Sequence, residues 1–398
     1  MKQMNQTQPL NPGTSPGRTI GLDVHPDSFA AAILEGSDPL KARVIKSVTK
    51  QPLTTLEAWA AKHTLPLDLL IIEASSNTFS VVERLAKIGR RAIILESHRA
   101  GQIGKAYLAN DKLDAAKIAR IYLSGLATTV WKPDPVTRER RELLSTYQRC
   151  VKDSTRDQQQ LRSYLNEHSL RLPVGFRLCR PEALPRLLKL KDWSPRQQIL
   201  LTEMHHSLLA VRERRTRLRR MMALEIEGDP KLLRLYKLSG LSLITTYALV
   251  AIIGDVKRFA HSKNLVSYLG LNPSVVESGK SKGGGALQSH GRGPMRSLLI
   301  QASKMLLKTE NPLQKWGLSV ALRRGANKAA VAVARKLTVA VWHILMDHWS
   351  QALEVTGTLV TKLGKLATDL GLPVLKELGY KSKIEFRERK LYQLQTVS

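Results

Sequence analysis

The chain has 398 residues, and 63 Lys and Arg against 33 Asp and Glu leave a formal net charge of +30. Hydrophobic residues make up 43% of the chain, which excludes wholesale disorder, and the length predicts two or three domains. The 2 cysteines exclude a disulfide framework and fit a reducing cytoplasm. The positive charge predicts an anionic partner, and nucleic acid is the leading candidate because Lys and Arg neutralise its phosphates.

The first part of the chain is predicted to alternate strands and helices. Apolar runs bounded by polar turns predict strands at 18–24, 28–34, 67–73 and 91–95. Helical spacing of apolar residues predicts helices at 52–63, 79–88 and 114–123. These elements indicate an α/β domain whose sheet opens with an antiparallel pair of strands.

The rest of the chain is predicted to be helical. Leucines at helical spacing after Pro133, and again over 195–226, predict two long amphipathic helices that form a hairpin or coiled coil. A third helical region, 233–349, contains a Gly-rich insertion at 278–293. The last stretch, 356–398, is basic and weakly helical, and we expect it to be an appendage.

Four acids stand where solvation alone does not explain them. Asp23 and Glu73 end apolar strands, and Asp111 and Asp114 are three residues apart at the start of a predicted helix. Each of them taken singly is better explained as a surface or helix-capping residue. If they converge, their mutual repulsion calls for a divalent cation, and oxygen ligands of this kind suit Mg²⁺ or Mn²⁺ in phosphoryl transfer.

The Gly-rich insertion and the turn before it predict contacts with phosphate. The turn at Gly240 between two short helices is similar to a helix-hairpin-helix grip on a DNA backbone, where free N–H groups meet phosphate. In and after the insertion, glycines permit close approach of the backbone, and positive charge comes from Lys280, Lys282, Arg292 and Arg296. A flexible linker or a passive phosphate-binding loop would have the same composition.

An Arg-dense helix lies in the middle of the chain. Six arginines occupy 211–220 with one Glu, and like charges at helical spacing destabilise an isolated helix. We therefore predict that this helix meets phosphate, although a solvated helix face is the alternative. The predicted nucleic-acid contacts are Arg212, Arg214, Arg215 and Arg219.

The sequence resembles the bridge-RNA-guided insertion-sequence transposases of the DEDD type, a family that also contains the pilin-gene invertases. The resemblance is carried in the first domain by GLDVHPDSFAAAI, LLIIEASSN and NDKLDAAKIARIYLSG. In the C-terminal half it is carried by YLGLNPSVVESGKSKGGGALQSHGRGPMRSLLIQAS and by KAAVAVARKL. By this resemblance Asp23, Glu73, Asp111 and Asp114 are the catalytic and metal-binding acids, and Ser278 is the nucleophile that becomes joined to a DNA 5′-phosphate.

The resemblance also implies the architecture. We expect an α/β domain of ribonuclease-H-like (RuvC-like) type, an all-α coiled-coil insert, and a helical transposase domain with the helix-hairpin-helix-like turn. The predicted boundaries are a disordered tail at 1–17, then 18–130, 131–230 and 231–350, with the appendage at 351–398. The implied partners are double-stranded DNA, a structured guide RNA and further copies of the chain. We expect no membrane association and a cytoplasmic, nucleoid-associated location in a bacterium.

Two other functions compete with this interpretation. A metal-dependent structure-specific nuclease, such as a junction resolvase, would need the four acids but not Ser278. A non-catalytic nucleic-acid-binding protein would need neither. The three hypotheses are separated by substitution of Asp111 and of Ser278.

Overall fold

The computed structural model describes residues 17–97, 114–278, 281–287, 292–348 and 355–396, with only the backbone for 274–278, 281–287 and 396. The chain forms two compact units, 1–133 and 134–398. Each unit has its own hydrophobic core.

The first unit is built on a five-stranded mixed sheet in the order β3-β2-β1-β4-β5. Strands β1 and β2, and β2 and β3, pair antiparallel, whereas β1, β4 and β5 run parallel. The strands are β1 Arg18–Val24, β2 Ser28–Glu35, β3 Arg43–Pro52, β4 Leu69–Glu73 and β5 Arg91–Leu95. The helices of this unit are α1 Leu56–His63, α2 Thr78–Lys87 and α3 Asp114–Leu123.

Helices cover both faces of this sheet. On one face Ile20 and Leu22 of β1 pack with residues of α1 and α2, among them Leu56 and Leu85. On the other face α3 packs through its alanines against β2 and through Ile118 against β4. Because both faces of β4 are covered, its sequence is a continuous apolar run that ends in an acid.

The four strands predicted from apolar runs are confirmed, but β3 was missed. Its residues are mostly exposed, and lysines at positions 46 and 50 interrupt any apolar pattern. A strand at the edge of a sheet needs no buried face, and charged residues there prevent pairing with other chains. The periodicity that reveals a buried strand is therefore absent from β3.

The second unit begins with two long helices, which confirms both predicted helices. Helix α4 spans Pro135–Glu167 and begins at Asp134, whose carboxylate accepts a hydrogen bond from the Thr137 N–H at 2.9 Å. After a short helix α5, Ala183–Leu188, helix α6 spans Pro195–Gly228 behind a capping box. The helices α4 and α6 pack antiparallel, because Arg140 pairs with Glu225 and Asp157 accepts from Ser207. Coiled-coil geometry for this pair stays a prediction.

The remaining helices surround one core. They are α7 Pro230–Lys237, α8 Leu243–Ile253, α9 Ser262–Tyr268, α10 Gly293–Leu306, α11 Gln314–Arg324, α12 Ala326–Leu345, α13 Thr356–Leu370, α14 Leu372–Glu377 and α15 Lys383–Thr396. The strands β6 Pro273–Ser278 and β7 Ser281–Leu287 form an antiparallel hairpin between α9 and α10. Of the helices that the structure describes, none is long and apolar enough to cross a membrane.

The C-terminal segment differs from the predicted appendage. Leu363 and Leu366 of α13, Leu375 of α14 and Phe386 of α15 are fully buried in the same cluster as α8 and α12. Lys362 is also buried, and its ammonium group donates to the carbonyls of residues 236 and 238. The high Lys and Arg content of this segment made it look polar, and composition alone did not reveal the apolar face of its helices. The boundaries predicted within the second unit stay predictions.

Candidate functional site

Two carboxylates end neighbouring strands of the first unit. Asp23 is the second-last residue of β1, and Glu73 is the last residue of β4. The strands run parallel with Gly21 opposite Ile71, and each acid follows two residues later. Since side chains alternate along a strand, both acids point to the face that carries Gly21 and Ile71. The sheet therefore places Asp23 and Glu73 on neighbouring strands, at the carboxyl ends of β1 and β4.

Helix α3 packs on the same face and begins with a third acid. A Cβ atom at position 21 would lie 1.8 Å from the carbonyl oxygen of Ala115, so only glycine permits this approach of helix to strand. Ile118 of α3 packs with Ile71 of β4 in a shared cluster. The close approach fixes the start of α3 over β1. Asp114, its first residue, is exposed there.

The three acids interact electrostatically. Burial raises the pKa of the Glu73 carboxyl, and the negative charges of Asp23 and Asp114 raise it further. A nearby cation would offset the mutual repulsion of these three carboxylates. Three of the four predicted acids thus lie on the α3 side of the sheet, within electrostatic range of Glu73.

The donor set fits a divalent metal ion by its chemistry. Oxygen ligands with mutual repulsion suit Mg²⁺ or Mn²⁺. Within the described residues, no group of three or more His, Cys, Asp and Glu side chains is close enough to enclose an ion. The fourth predicted acid, Asp111, lies outside the described residues.

A histidine that the sequence interpretation passed over lies beside Asp23. His25 Nε2 is 3.3 Å from Asp23 Oδ2, and the imidazole is largely exposed. Asn77, from the loop after β4, donates to the carbonyl of His25 at 2.9 Å and ties the two strand ends together. The sequence signal for His25 was its position two residues after Asp23, because residues i and i+2 of an extended chain lie on one face.

The proposed nucleophile ends the first strand of the hairpin in the second unit. Ser278 is the last residue of β6 and pairs with Ser281 of β7. Lys282 lies opposite Glu277 in the same register, whereas Lys280 lies outside the described residues. The sequence interpretation did not predict this hairpin, because glycines at 283–285 disfavour a strand.

Arginines cluster at the base of the hairpin. Arg292 is exposed, and its Nε and Nη2 donate to the Tyr268 hydroxyl at 3.3 and 3.0 Å. Arg258 stacks on the same ring at 4.4 Å, and Arg296 donates to the Gly270 carbonyl at 3.4 Å. Burial by itself raises the pKa of Tyr268, but the charges of Arg292 and Arg258 outweigh it and hold that pKa below its ordinary value. Arg292 and Arg296 were predicted, whereas Arg258 and Tyr268 were missed.

The turn at Gly240 is explained by packing. Gly240 has φ +83°, and a Cβ there would lie 2.8 Å from Leu306 Cγ and 3.2 Å from the Ala302 carbonyl oxygen of α10. Ser242 caps α8 by accepting from the Thr245 N–H at 3.1 Å. The glycine therefore joins the turn to α10, and its predicted contact with DNA stays a prediction.

The arginines of α6 have several different surroundings. Arg219 makes a bidentate ion pair with Asp369 at 2.6 and 2.9 Å, and Arg212 donates to the carbonyl of Cys179. Arg214 is exposed, and Arg215 is half-buried. Two of the four arginines predicted to contact nucleic acid thus have partners within the chain.

The chain carries acids at the carboxyl ends of two neighbouring strands and a large positive charge, and two family profiles specify its class as a DNA transposase. Residues 20–169 match a profile described as a DEDD transposase of the IS110 type. Residues 233–316 match the transposase IS116/IS110/IS902 family. Together the matches span more than half of the chain, and the chain belongs to the IS110/IS116/IS902 family of insertion-sequence transposases.

Curated relatives are also named as transposases. The chain is 24% identical over 293 residues to a "Probable family 20 transposase" of Pseudomonas aeruginosa, with 71% of this chain and 85% of the relative covered. It is 26% identical over 242 residues to the "Transposase for insertion sequence element IS1111A" of Coxiella burnetii, with 59% and 66% covered. The family designation agrees with the predicted resemblance.

Proposed function

We propose that this transposase cuts and rejoins DNA through a covalent bond between Ser278 and a DNA 5′-phosphate, with a divalent metal ion held by its four acids. The observation that carries the proposal is that Asp23, Glu73 and Asp114 lie on one side of the sheet, where burial and the charges of the two aspartates raise the pKa of Glu73. An ordinary surface acid would not carry this electrostatic penalty.

Asp23, Glu73, Asp111 and Asp114 would hold Mg²⁺ or Mn²⁺. When bound, such an ion supplies Lewis-acid stabilisation of the charge that develops on phosphoryl oxygens. The order of the five strands, with an antiparallel β1-β2-β3 and a parallel β1-β4-β5, supports a ribonuclease-H-like fold for this domain.

The covalent step is a transesterification. The Ser278 Oγ attacks the phosphorus of a phosphodiester, a bond forms between Oγ and phosphorus, and the bond to the 3′-oxygen breaks. The serine proton leaves to a base, and the 3′-oxygen leaves as a hydroxyl after protonation. The reverse reaction with a different 3′-hydroxyl rejoins the DNA, so no external energy source is needed.

Positive groups around the hairpin would orient the phosphate. Arg292 is exposed, and its hydrogen bonds to Tyr268 hold the guanidinium near the start of α10. Arg296 lies one turn further along the same helix, Lys282 is in the second strand of the hairpin, and Lys280 precedes that strand in the sequence. Guanidinium groups suit this role because they match phosphate oxygens bidentately.

The remaining parts of the proposal come from the family resemblance. A structured guide RNA would direct the choice of DNA site, and strand exchange would take place within a dimer or tetramer bound to the bacterial nucleoid. The net charge of +30 supports binding to nucleic acid in general.

The test is a covalent-adduct assay with a matched control. Wild type, Ser278→Ala and Ser281→Ala are incubated with Mg²⁺, co-expressed RNA and DNA from the flanks of the gene, and are run on a denaturing gel. Ser281 is the control because it pairs with Ser278 across the hairpin. We expect a protein–DNA band in wild type and Ser281→Ala and none in Ser278→Ala.

Other outcomes point to the competing functions. Free cut ends without an adduct in all three proteins would favour the nuclease hypothesis. An adduct that persists in Ser278→Ala but disappears in Ser281→Ala would assign the nucleophile to Ser281.

A further inference from the structure

A second basic segment lies in the second unit, outside the sequence of the hairpin and of helix α6. The segment 304–336 contains eight Lys and Arg and one acid, Glu310. All eight basic side chains are exposed. The 304–336 basic surface consists of Lys304, Lys308, Lys315, Arg323, Arg324, Lys328, Arg335 and Lys336.

The packing of α11 and α12 turns this charge outward. The helices are joined at Gly325, and they pack at Gly317, where a Cβ would lie 2.9 Å from Val333 Cγ2. At about 3.6 residues per turn, Lys315 and Arg323 lie on the side of α11 away from Gly317. By the same geometry Lys328 and Arg335 lie on the side of α12 away from the buried Val333.

The charges of this surface are not neutralised within the part of the chain that the structure describes. None of the eight side chains makes an ion pair with a carboxylate there, in contrast to Arg217 and Arg219 of α6. Lys336 stacks over Trp316 at 4.7 Å, and Arg323 donates to a carbonyl of its own helix at 3.2 Å. The first turn of α12 carries no acid, so the partial positive charge of the helix start adds to the surface.

We propose that the 304–336 basic surface binds the sugar-phosphate backbone of a DNA duplex. Charge complementarity identifies the partner, because the eight exposed cations have one exposed acid, Glu310, among them, and such an excess of positive charge matches the phosphates of a nucleic-acid backbone. The choice of DNA as the polyanion rests on the proposed function, in which duplex DNA is the substrate. Binding here requires no cleavage.

The experiment measures the salt dependence of duplex binding. The surface variant carries Lys315→Gln, Arg323→Gln, Lys328→Gln and Arg335→Gln. The control variant carries Arg149→Gln, Lys152→Gln, Lys376→Gln and Lys383→Gln, four exposed residues elsewhere in the same unit with the same loss of charge. Fluorescence anisotropy of a labelled 30-base-pair duplex is followed between 50 and 300 mM NaCl, after both variants are shown to melt like wild type.

We expect the surface variant to lose affinity and salt dependence together. Each lost phosphate contact lowers the slope of log K against log salt by about 0.9, so two to four contacts weaken binding at 150 mM NaCl by about 30-fold to 10³-fold. The control variant should stay within about threefold of wild type. Equal slopes and affinities for the two variants would overturn the proposal.

A second titration separates RNA from DNA. The same proteins are titrated with a labelled RNA hairpin, and a loss confined to RNA would overturn the assignment to DNA. The binding result is independent of the proposed nucleophile. Duplex binding requires no cleavage, so Ser278→Ala should show the salt dependence of wild type whether or not it forms an adduct.

Discussion

Glu73 is the acid of the first unit whose pKa is raised by burial and by the charges of two other acids. Its carboxylate ends a buried strand, and Asp23 and Asp114 face it on the α3 side of the sheet. Neighbouring His25 contacts Asp23 from the turn after β1. Because the pKa of Glu73 is raised in the folded protein, the folded state holds the Glu73 proton more tightly than the unfolded state does. The free energy of unfolding therefore falls as the pH rises through the pKa of Glu73. The site is therefore built at a cost in stability.

Glu73→Gln should stabilise the protein and inactivate it. Without metal, the amide removes the repulsion with Asp23 and Asp114, and we expect Tm in EDTA at pH 7.5 to rise by up to about 4 °C. Transposition of a marked element should fall by at least about 100-fold, because a ligand that stabilises phosphoryl charge is lost.

The control for this substitution is Glu35→Gln at the opposite end of the sheet, where Glu35 is exposed and pairs with Arg18 across the strands. It should leave transposition and Tm unchanged. A Glu73→Gln protein that transposes normally would exclude the acid site as the catalytic centre.

At the scale of elements, the approach of α3 to β1 positions Asp114 relative to Asp23. Helix and strand touch at Gly21, where the helix backbone occupies the space of a side chain. The packing of α11 on α12 at Gly317 follows the same principle in the second unit. In both places a glycine lets two elements approach closely, and the exposed side chains nearby take their positions from that approach.

Gly21→Ala should destabilise the first unit by about 2–4 kcal/mol, because the new methyl group collides with backbone that cannot move without displacing α3. Gly17→Ala is the matched control, since nothing lies within 4 Å of a Cβ there. Urea denaturation followed by circular dichroism measures both. Equal stability of the two variants would mean that α3 does not rest on Gly21.

At the scale of the whole molecule, the C-terminal helices belong to the second unit and not to a tail. Their leucines are buried with α8 and α12, and the ion pair from Arg219 to Asp369 joins α6 to α13 across 150 residues of sequence. The basic residues of this unit therefore fall into two groups by their surroundings. Part of it holds helices together, and part of it, on the 304–336 basic surface, faces outward.

Leu363→Ala should destabilise the second unit by about 2–5 kcal/mol, because Leu363 is fully buried in the main core. Leu372→Ala, at a position 43% exposed, should change stability by less than about 0.5 kcal/mol. Differential scanning calorimetry of the full chain reports both. If the two substitutions cost the same, the C-terminal segment is an independent appendage.

The sequence by itself determined the apolar strands, the long helices and the acids at strand ends, because each of these depends on residues close together in the chain. It could not reveal the exposed strand β3 or the Gly-rich hairpin, where local propensity opposes the structure. Only the tertiary structure decided that α3 brings Asp114 to Glu73 and that Arg219 meets Asp369. These pairings join distant parts of the chain and depend on how helices pack, which local sequence patterns do not encode.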